Sequence, residues 1–118
     1  METIKTRMTS PVLSIDQDKT VKNAAEIIYE NKVGSLLVTE NGKYIGIVTK
    51  TDLMKRVLIK NLDAESIKVS EVMSQPLFTI ESEESLEAAR EMLSEKSVRH
   101  LTVTQNNEVV GILSIKDL

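Results

Sequence analysis

Apolar and polar positions along the chain follow two rhythms, and the rhythms change in the same order twice. Val21, Ala24, Ala25 and Ile28 recur at i, i+3, i+4 and i+7, a spacing that predicts a helix with one buried face. Thr20 stands before it as a hydroxyl suited to cap the first turn. Behind Ser85, the residues Leu86, Ala89 and Leu93 repeat that face, with Met92 beside it. A short extended piece is predicted ahead of each helix, over 12–15 and 77–80, and each follows a Met-x-x-Pro. After the helix the rhythm shortens. Leu36-Leu37-Val38, the turn Glu40-Asn41-Gly42-Lys43 and residues 44–49 predict a hairpin, since Asn-Gly is the strongest short-range turn signal. Residues 101–104, Asn106-Asn107 and 109–114 predict a second, because asparagine tolerates the left-handed backbone of such turns.

Gly46 and Gly111 interrupt the returning strands, where glycine weakens pairing unless something must approach the backbone closely. Leu53, Met54, Val57 and Leu58 predict one more helical segment over 53–61, which has no counterpart behind Leu118.

The common order reflects a tandem duplication. One constant offset lays Met8 on Met73, Pro11 on Pro76, Ile15 on Ile80, Ala24 on Ala89, Val33 on Val98 and Leu36 on Leu101. No gap is needed, and roughly a third of the aligned positions are identical, which marks an internal repeat. Both copies end in Gly-Ile-(Val/Leu)-(Thr/Ser)-x-x-Asp-Leu, at 46–53 and 111–118. The reading is a first repeat over 1–62, a short connector over 63–68, and a second repeat over 69–118 without the terminal helix. The two β-α-β-β-α units are expected to form one pseudo-symmetric domain.

Composition narrows the function classes. The chain of 118 residues has 41% hydrophobic and 28% charged residues, as an ordinary folded domain does. Without cysteine it can form no disulfide, thiolate nucleophile or cysteine-ligated metal site. A net charge of −3 and three aromatic residues argue against a general nucleic-acid binder, which needs a basic surface or stacking platforms. The charged N-terminus is not a signal peptide, and no apolar run approaches the ~20 residues that cross a bilayer. A cytoplasmic protein with no membrane partner is expected. The chain has one histidine, no Walker-type loop and no H-E-x-x-H, and no nucleophile with an adjacent base can be assembled. No catalytic residue, metal site or enzymatic activity is therefore expected.

Taken in order, the doubled Met-x-x-Pro, capped helix, hairpin and terminal Asp-Leu motif resemble a tandem pair of cystathionine-β-synthase (CBS) domains, a Bateman module. The resemblance runs from Ile4 to Leu118. It implies an α+β fold (an α/β sandwich) of two pseudo-symmetric repeats packed sheet to sheet. Similar modules bind adenosine-containing ligands in two clefts between the repeats, commonly pair into disc-like dimers, and sense rather than catalyse.

The residues suit such a ligand. An ionised aspartate only accepts hydrogen bonds, so Asp52 and Asp117 can each take the paired hydroxyls of a ribose and would repel a phosphate. Thr49 and Ser114 can donate to phosphate oxygens, and a helix opening near Thr51-Asp52 would add backbone N–H groups. The competing reading of Asp52 is an ordinary helix N-cap. The resemblance implies that one cleft joins Thr49 and Asp52 to Phe78, Val98, Arg99 and His100. It implies that the other joins Ser114 and Asp117 to Leu13, Val33, Gly34 and Ser35.

Arg99 supplies a permanent cation for phosphate oxygens, whereas Gly34-Ser35 supplies none. Some family members have His-Arg where this chain has Arg-His, which leaves open the side chain that faces the ligand; a core or hairpin role competes for His100. Phe78 and Leu13 could cover an adenine face or fill the core, and hinge packing is the expected role of Met8 and Met73. The expected regulatory ligand is AMP, ADP or ATP. S-adenosylmethionine is the rival, although its sulfonium would not favour Arg99. A structural or dimerisation module that binds no ligand and regulates a partner protein is the alternative of a different class. The resemblance implies a homodimer, and in either case the chain is expected to act through an effector protein.

Overall fold

The computed structural model describes residues 2–118. In chain order the elements are α1 (Ile4–Arg7), β1 (Ser14–Asp16), α2 (Val21–Asn31), β2 (Ser35–Glu40), β3 (Lys43–Thr49) and α3 (Lys50–Leu53), followed by a π-helical turn (Met54–Leu58). Then come β4 (Thr79–Glu81), α4 (Leu86–Lys96), β5 (His100–Gln105) and β6 (Glu108–Ser114), with short 3-10 turns at Val69–Glu71 and Ile115–Asp117. The order of helices and strands is that expected from the apolar rhythms, and the fold is the α+β fold that the resemblance implies.

Two compact units result, and they are not cut where the repeat is cut. One is Leu13–Pro76; the other joins Leu77–Leu118 to the chain that ends at Val12. Within the first, β1 runs parallel to β2 and β2 antiparallel to β3; within the second, β4, β5 and β6 repeat that order. The hairpin turns carry positive φ at both central residues, Asn41 and Gly42 in one and Asn106 and Asn107 in the other. That geometry matches the right-handed twist of the flanking strands. In each returning strand the register slips by one residue: Val38 faces Gly46 but Thr39 faces Tyr44, and Val103 faces Gly111 but Thr104 faces Val109. Ile45 and Val110 are thus bulged.

Both long helices start as their caps dictate. The Thr20 hydroxyl accepts from Asn23 N–H at 3.2 Å while the Asn23 side chain accepts from Thr20 N–H. Ser85 accepts from Ala88 N–H at 3.0 Å. Each helix ends on a left-handed residue, Lys32 and Ser97. The α2 face built by Val21, Ala24 and Ile28 meets Leu36, Val38 and Val48 of its sheet. In the other unit Ala89 and Leu93 meet Leu101, Val103 and Leu113.

Several boundaries depart from the sequence expectation. The first strand of each sheet is Ser14–Asp16 and Thr79–Glu81, about two residues later than the apolar run, because its partners on the central strand are Leu37–Thr39 and Thr102–Thr104. The helix expected over 53–61 begins at Lys50 and widens to π geometry at Met54. The short connector over 63–68 also serves α2. Its carbonyls at Ala64 and Ile67 accept from Lys22 and Val21 N–H at 3.1 and 2.9 Å. These are first-turn donors of α2 that no intrahelical carbonyl can reach.

The two Met-x-x-Pro segments explain the displaced cut. Each adds to the hairpin of the other repeat: Thr9 and Ile112 exchange two main-chain hydrogen bonds (2.8 and 3.0 Å), as do Ser74 and Ile47 (2.8 and 3.0 Å). This is the close approach that the strand glycines require. A Cβ on Gly46 would lie 2.8 Å from Met73 Sδ and 2.9 Å from the Ser74 carbonyl oxygen. On Gly111 it would collide with Met8 Sδ and lie 3.0 Å from the Thr9 oxygen. Met8 and Met73 are the covers of these two glycines. The following Ser10–Pro11 and Gln75–Pro76 bonds are both cis.

Candidate functional site

Each unit turns its terminal motif into a tight, self-bonded corner at the end of a returning strand. In the unit Leu13–Pro76 the N-cap is Thr49, not Asp52. The Thr49 hydroxyl accepts from Asp52 N–H at 3.1 Å and donates to Asp52 Oδ2 at 3.1 Å, and Oδ2 also accepts from Thr49 N–H at 2.9 Å. Thr49 and Asp52 therefore form a reciprocal capping box. Asp52 is 9% exposed. With Oδ2 engaged, Oδ1 faces Arg56 Nε at 3.8 Å, an ion pair too long for a hydrogen bond.

The second corner differs in detail. Asp117 Oδ2 accepts from Ser114 N–H at 2.8 Å and the two residues again form a capping box, but here the Ser114 hydroxyl also accepts from Lys116 N–H at 3.2 Å. Thr49 directs its hydroxyl proton to the Asp52 carboxylate. The helix expected to lend N–H groups begins at Lys50, and two of its first donors are already engaged: Lys50 N–H with the Gly34 carbonyl at 3.0 Å and Asp52 N–H with Thr49.

The other predicted residues fall into the two units in a definite pattern. Thr49 shares its unit with Leu13, Val33, Gly34 and Ser35, and Ser35 is its cross-strand partner. Ser114 shares its unit with Phe78, Val98, Arg99 and His100; His100 is its cross-strand partner, and the Arg99 carbonyl accepts from Ile115 N–H at 2.9 Å. Each aspartate corner is thus built beside the strand start of its own repeat. The groupings implied by the resemblance draw from both units. Arg99 is exposed, His100 and Val98 are half-buried, and Gly34 opens onto empty space. Phe78 carries Lys96 Nζ over its ring, 5.5 Å from the centroid, so one of its faces already has a cationic cover.

Sequence reasoning passed over Arg56. Its Nη1 donates to the main-chain oxygens of Val72 and Met73 at 2.8 and 3.1 Å. Its position four residues after Asp52 was the available signal. In the other unit an arginine again ties the corner to the exchanged segment, from the opposite side: Arg7 Nη1 donates to the Asp117 carbonyl at 2.9 Å. Among the described residues no group of three or more His, Asp or Glu is placed to hold a metal ion, and no helix is long and apolar enough to cross a membrane.

Comparison with known proteins accounts for this architecture. The family model described as CBS domain matches twice, over residues 2–59 and 69–118. The CBS domain-containing protein YhcV of Bacillus subtilis is 31% identical over the whole chain, which spans 84% of that relative. In CBSCBSPB1 of Arabidopsis thaliana the identity is 32% over 96% of the chain, but the match occupies only 21% of that longer protein. Among solved structures, a hexameric CBS-CP12 protein from bloom-forming cyanobacteria superposes with a TM-score of 0.90 at 27% identity, covering 98% of this chain and 69% of that one. An uncharacterized conserved protein from Pyrococcus horikoshii gives 0.86 at 28% identity, covering 98% and 87%. Duplicated sequence, duplicated sheet order and doubled aspartate corners have one explanation: the chain belongs to the CBS-domain family, whose members are regulatory modules, and it holds two copies of the domain in tandem.

Proposed function

We propose that this tandem pair senses an adenosine-containing ligand, with AMP, ADP or ATP as the ligand class, and that it acts on a partner protein without catalysing a reaction. The observation that carries the reading is the state of Asp52. Its carboxylate is nearly buried and fixed by Thr49 through one oxygen, which leaves Oδ1 as an oriented acceptor for a ribose diol. Arg99 is exposed and would attract a phosphate. S-adenosylmethionine would satisfy the same carboxylates but gains nothing from Arg99.

A thermal-shift and calorimetry panel with AMP, ADP, ATP and S-adenosylmethionine tests this. A ligand at 100 times its Kd stabilises the fold by about 2.7 kcal/mol. Hydrogen bonds to a carboxylate contribute about 1.5–3 kcal/mol each, so Asp52→Asn should weaken binding at least about tenfold. Arg99→Ala should weaken nucleotides but not adenosine, and 2′,3′-dideoxy analogues should fail. No response to any compound at millimolar concentration would refute the reading, and binding that survives loss of both Asp52 and Asp117 would refute the residue assignment.

One feature favours the second reading, a dimerisation module. An open apolar groove of about 430 Å³ runs between α2 and the π turn, lined by Val21, Ile28, Leu53, Met54, Val57 and Leu58. Leu58 and Ile59 beside it are 73% and 71% exposed. A second copy of the chain would cover this surface, and light scattering of wild type against Leu58→Glu reads the outcome: a dimer that becomes a monomer.

A further inference from the structure

We propose that Arg56 is the positioning residue of the Asp52 corner, joining its carboxylate to the exchanged segment at Val72–Ser74 so that a change at Asp52 is felt there. The inference deepens the ligand reading and rests on it only for the identity of the occupant.

The path is continuous within the unit Leu13–Pro76. Asp52 Oδ1 faces Arg56 Nε at 3.8 Å. The same guanidinium sends Nη1 to the Val72 and Met73 oxygens at 2.8 and 3.1 Å. The next residue, Ser74, exchanges two main-chain hydrogen bonds with Ile47, and Met73 lies over Gly46. A planar guanidinium can serve a carboxylate on one edge and two carbonyls on another, whereas a lysine ammonium is a single point of contact. The ion pair spans i to i+4 where α3 passes into the π turn, a helix distortion that recurs at functional sites. Any donor arriving at Oδ1 enters the field that holds Arg56, and Arg56 holds the segment.

The other unit provides the contrast. Arg7 belongs to the exchanged segment itself, gives Nη1 to the main chain of Asp117, and turns Nε and Nη2 to Glu2. Its link does not pass through the Asp117 carboxylate. Among the described residues, coupling between carboxylate and segment is therefore a property of the Asp52 corner.

Amide hydrogen exchange on the full chain tests the proposal. Arg56→Met, which keeps the packing stem but no donor, should speed exchange at Ser74 and Ile47 about tenfold or more, the size expected from losing charge-assisted hydrogen bonds. Asp52→Asn keeps an oxygen for Thr49 and can turn an NH₂ toward Arg56, so it should speed the same two amides. The double variant should exchange no faster than Arg56→Met alone, and Arg56→Lys should not restore the slow rate. Asp117→Asn should leave Thr9 and Ile112 unchanged while Arg7→Met speeds them. Additive effects of the Asp52 and Arg56 variants, or an Asp52→Asn protein with wild-type exchange at Ser74, would overturn the proposal. Saturating AMP separates it from the ligand reading. If AMP does not bind but the coupling holds, the ligand reading fails and the positioning role stands. If AMP binds and alters Ser74 exchange equally in wild type and Arg56→Met, the positioning role fails and the ligand reading stands.

Discussion

Two glycines show how much one hydrogen atom can decide. Gly46 is buried beneath Met73 and Ser74, and the Ser74 oxygen that a Cβ would meet at 2.9 Å belongs to the backbone, which cannot swing aside. Gly46→Ala should therefore cost about 1–3 kcal/mol, as overpacking does, measured by denaturant unfolding. Gly34 lies where the second repeat has Arg99, and nothing stands within 4 Å of its missing Cβ. Gly34→Arg should stay within about 0.5 kcal/mol of wild type. Equal losses at the two positions would show that close approach is not what keeps glycine at Gly46. Asp52 is likewise defined by its neighbours: Thr49 fixes one oxygen and Arg56 faces the other.

At the scale of elements, the segment after Asn61 stabilises α2 by supplying carbonyls to its first turn, and its own charges make that support depend on pH. The Ser66 hydroxyl and then the Glu65 N–H hold the Asp63 carboxyl below its ordinary 3.8. A lowered carboxyl stabilises above the ordinary value and loses that effect as pH falls through the lowered one. Lys22 is held above its ordinary 10.5, first by its hydrogen bond to Glu65. Its contribution is complete below 10.5 and is lost as pH rises through the raised value. Thermal unfolding followed against pH should therefore show Asp63→Asn with a shallower acid limb than wild type and Glu65→Gln with a shallower alkaline one. Both groups are exposed, so the differences should be small.

At the scale of the whole molecule, the sequence repeat and the packed unit are different objects. Val69 and Val72, at 0% and 3% exposure, lie in the second repeat yet complete the core around Leu36, Val38 and Val48. Ile4, fully buried, lies in the first repeat and completes the core around Leu101, Val103 and Leu113. A fragment of residues 13–76 should show a cooperative thermal transition and protected β2 amides, because it holds an entire core. A fragment of residues 1–62 should show neither, since it lacks Val69, Val72 and the Met73 cover of Gly46. A cooperative transition in the shorter repeat fragment would mean that the exchanged segment is dispensable.

Much of this was legible along the chain. The helical faces, their caps at Thr20 and Ser85, the Asn-Gly turn and the duplication follow from spacing and residue type, because each is a local preference or an internal comparison; the family followed from the resemblance of the doubled motif set. The need for something to approach Gly46 and Gly111 was legible too, but not what approaches. That is a contact between residues far apart in sequence, decided when Met73-Ser74 and Met8-Thr9 pair with the opposite repeat. The same holds at the aspartates. The sequence by itself determined that a carboxylate ends each copy of the motif. Tertiary structure alone decided that Thr49 claims one oxygen of Asp52, that Arg56 faces the other while gripping Val72 and Met73, and that Arg7 reaches the main chain of Asp117 instead. A hydrogen bond needs its partners within about 3 Å and aligned, and only the folded chain sets those distances.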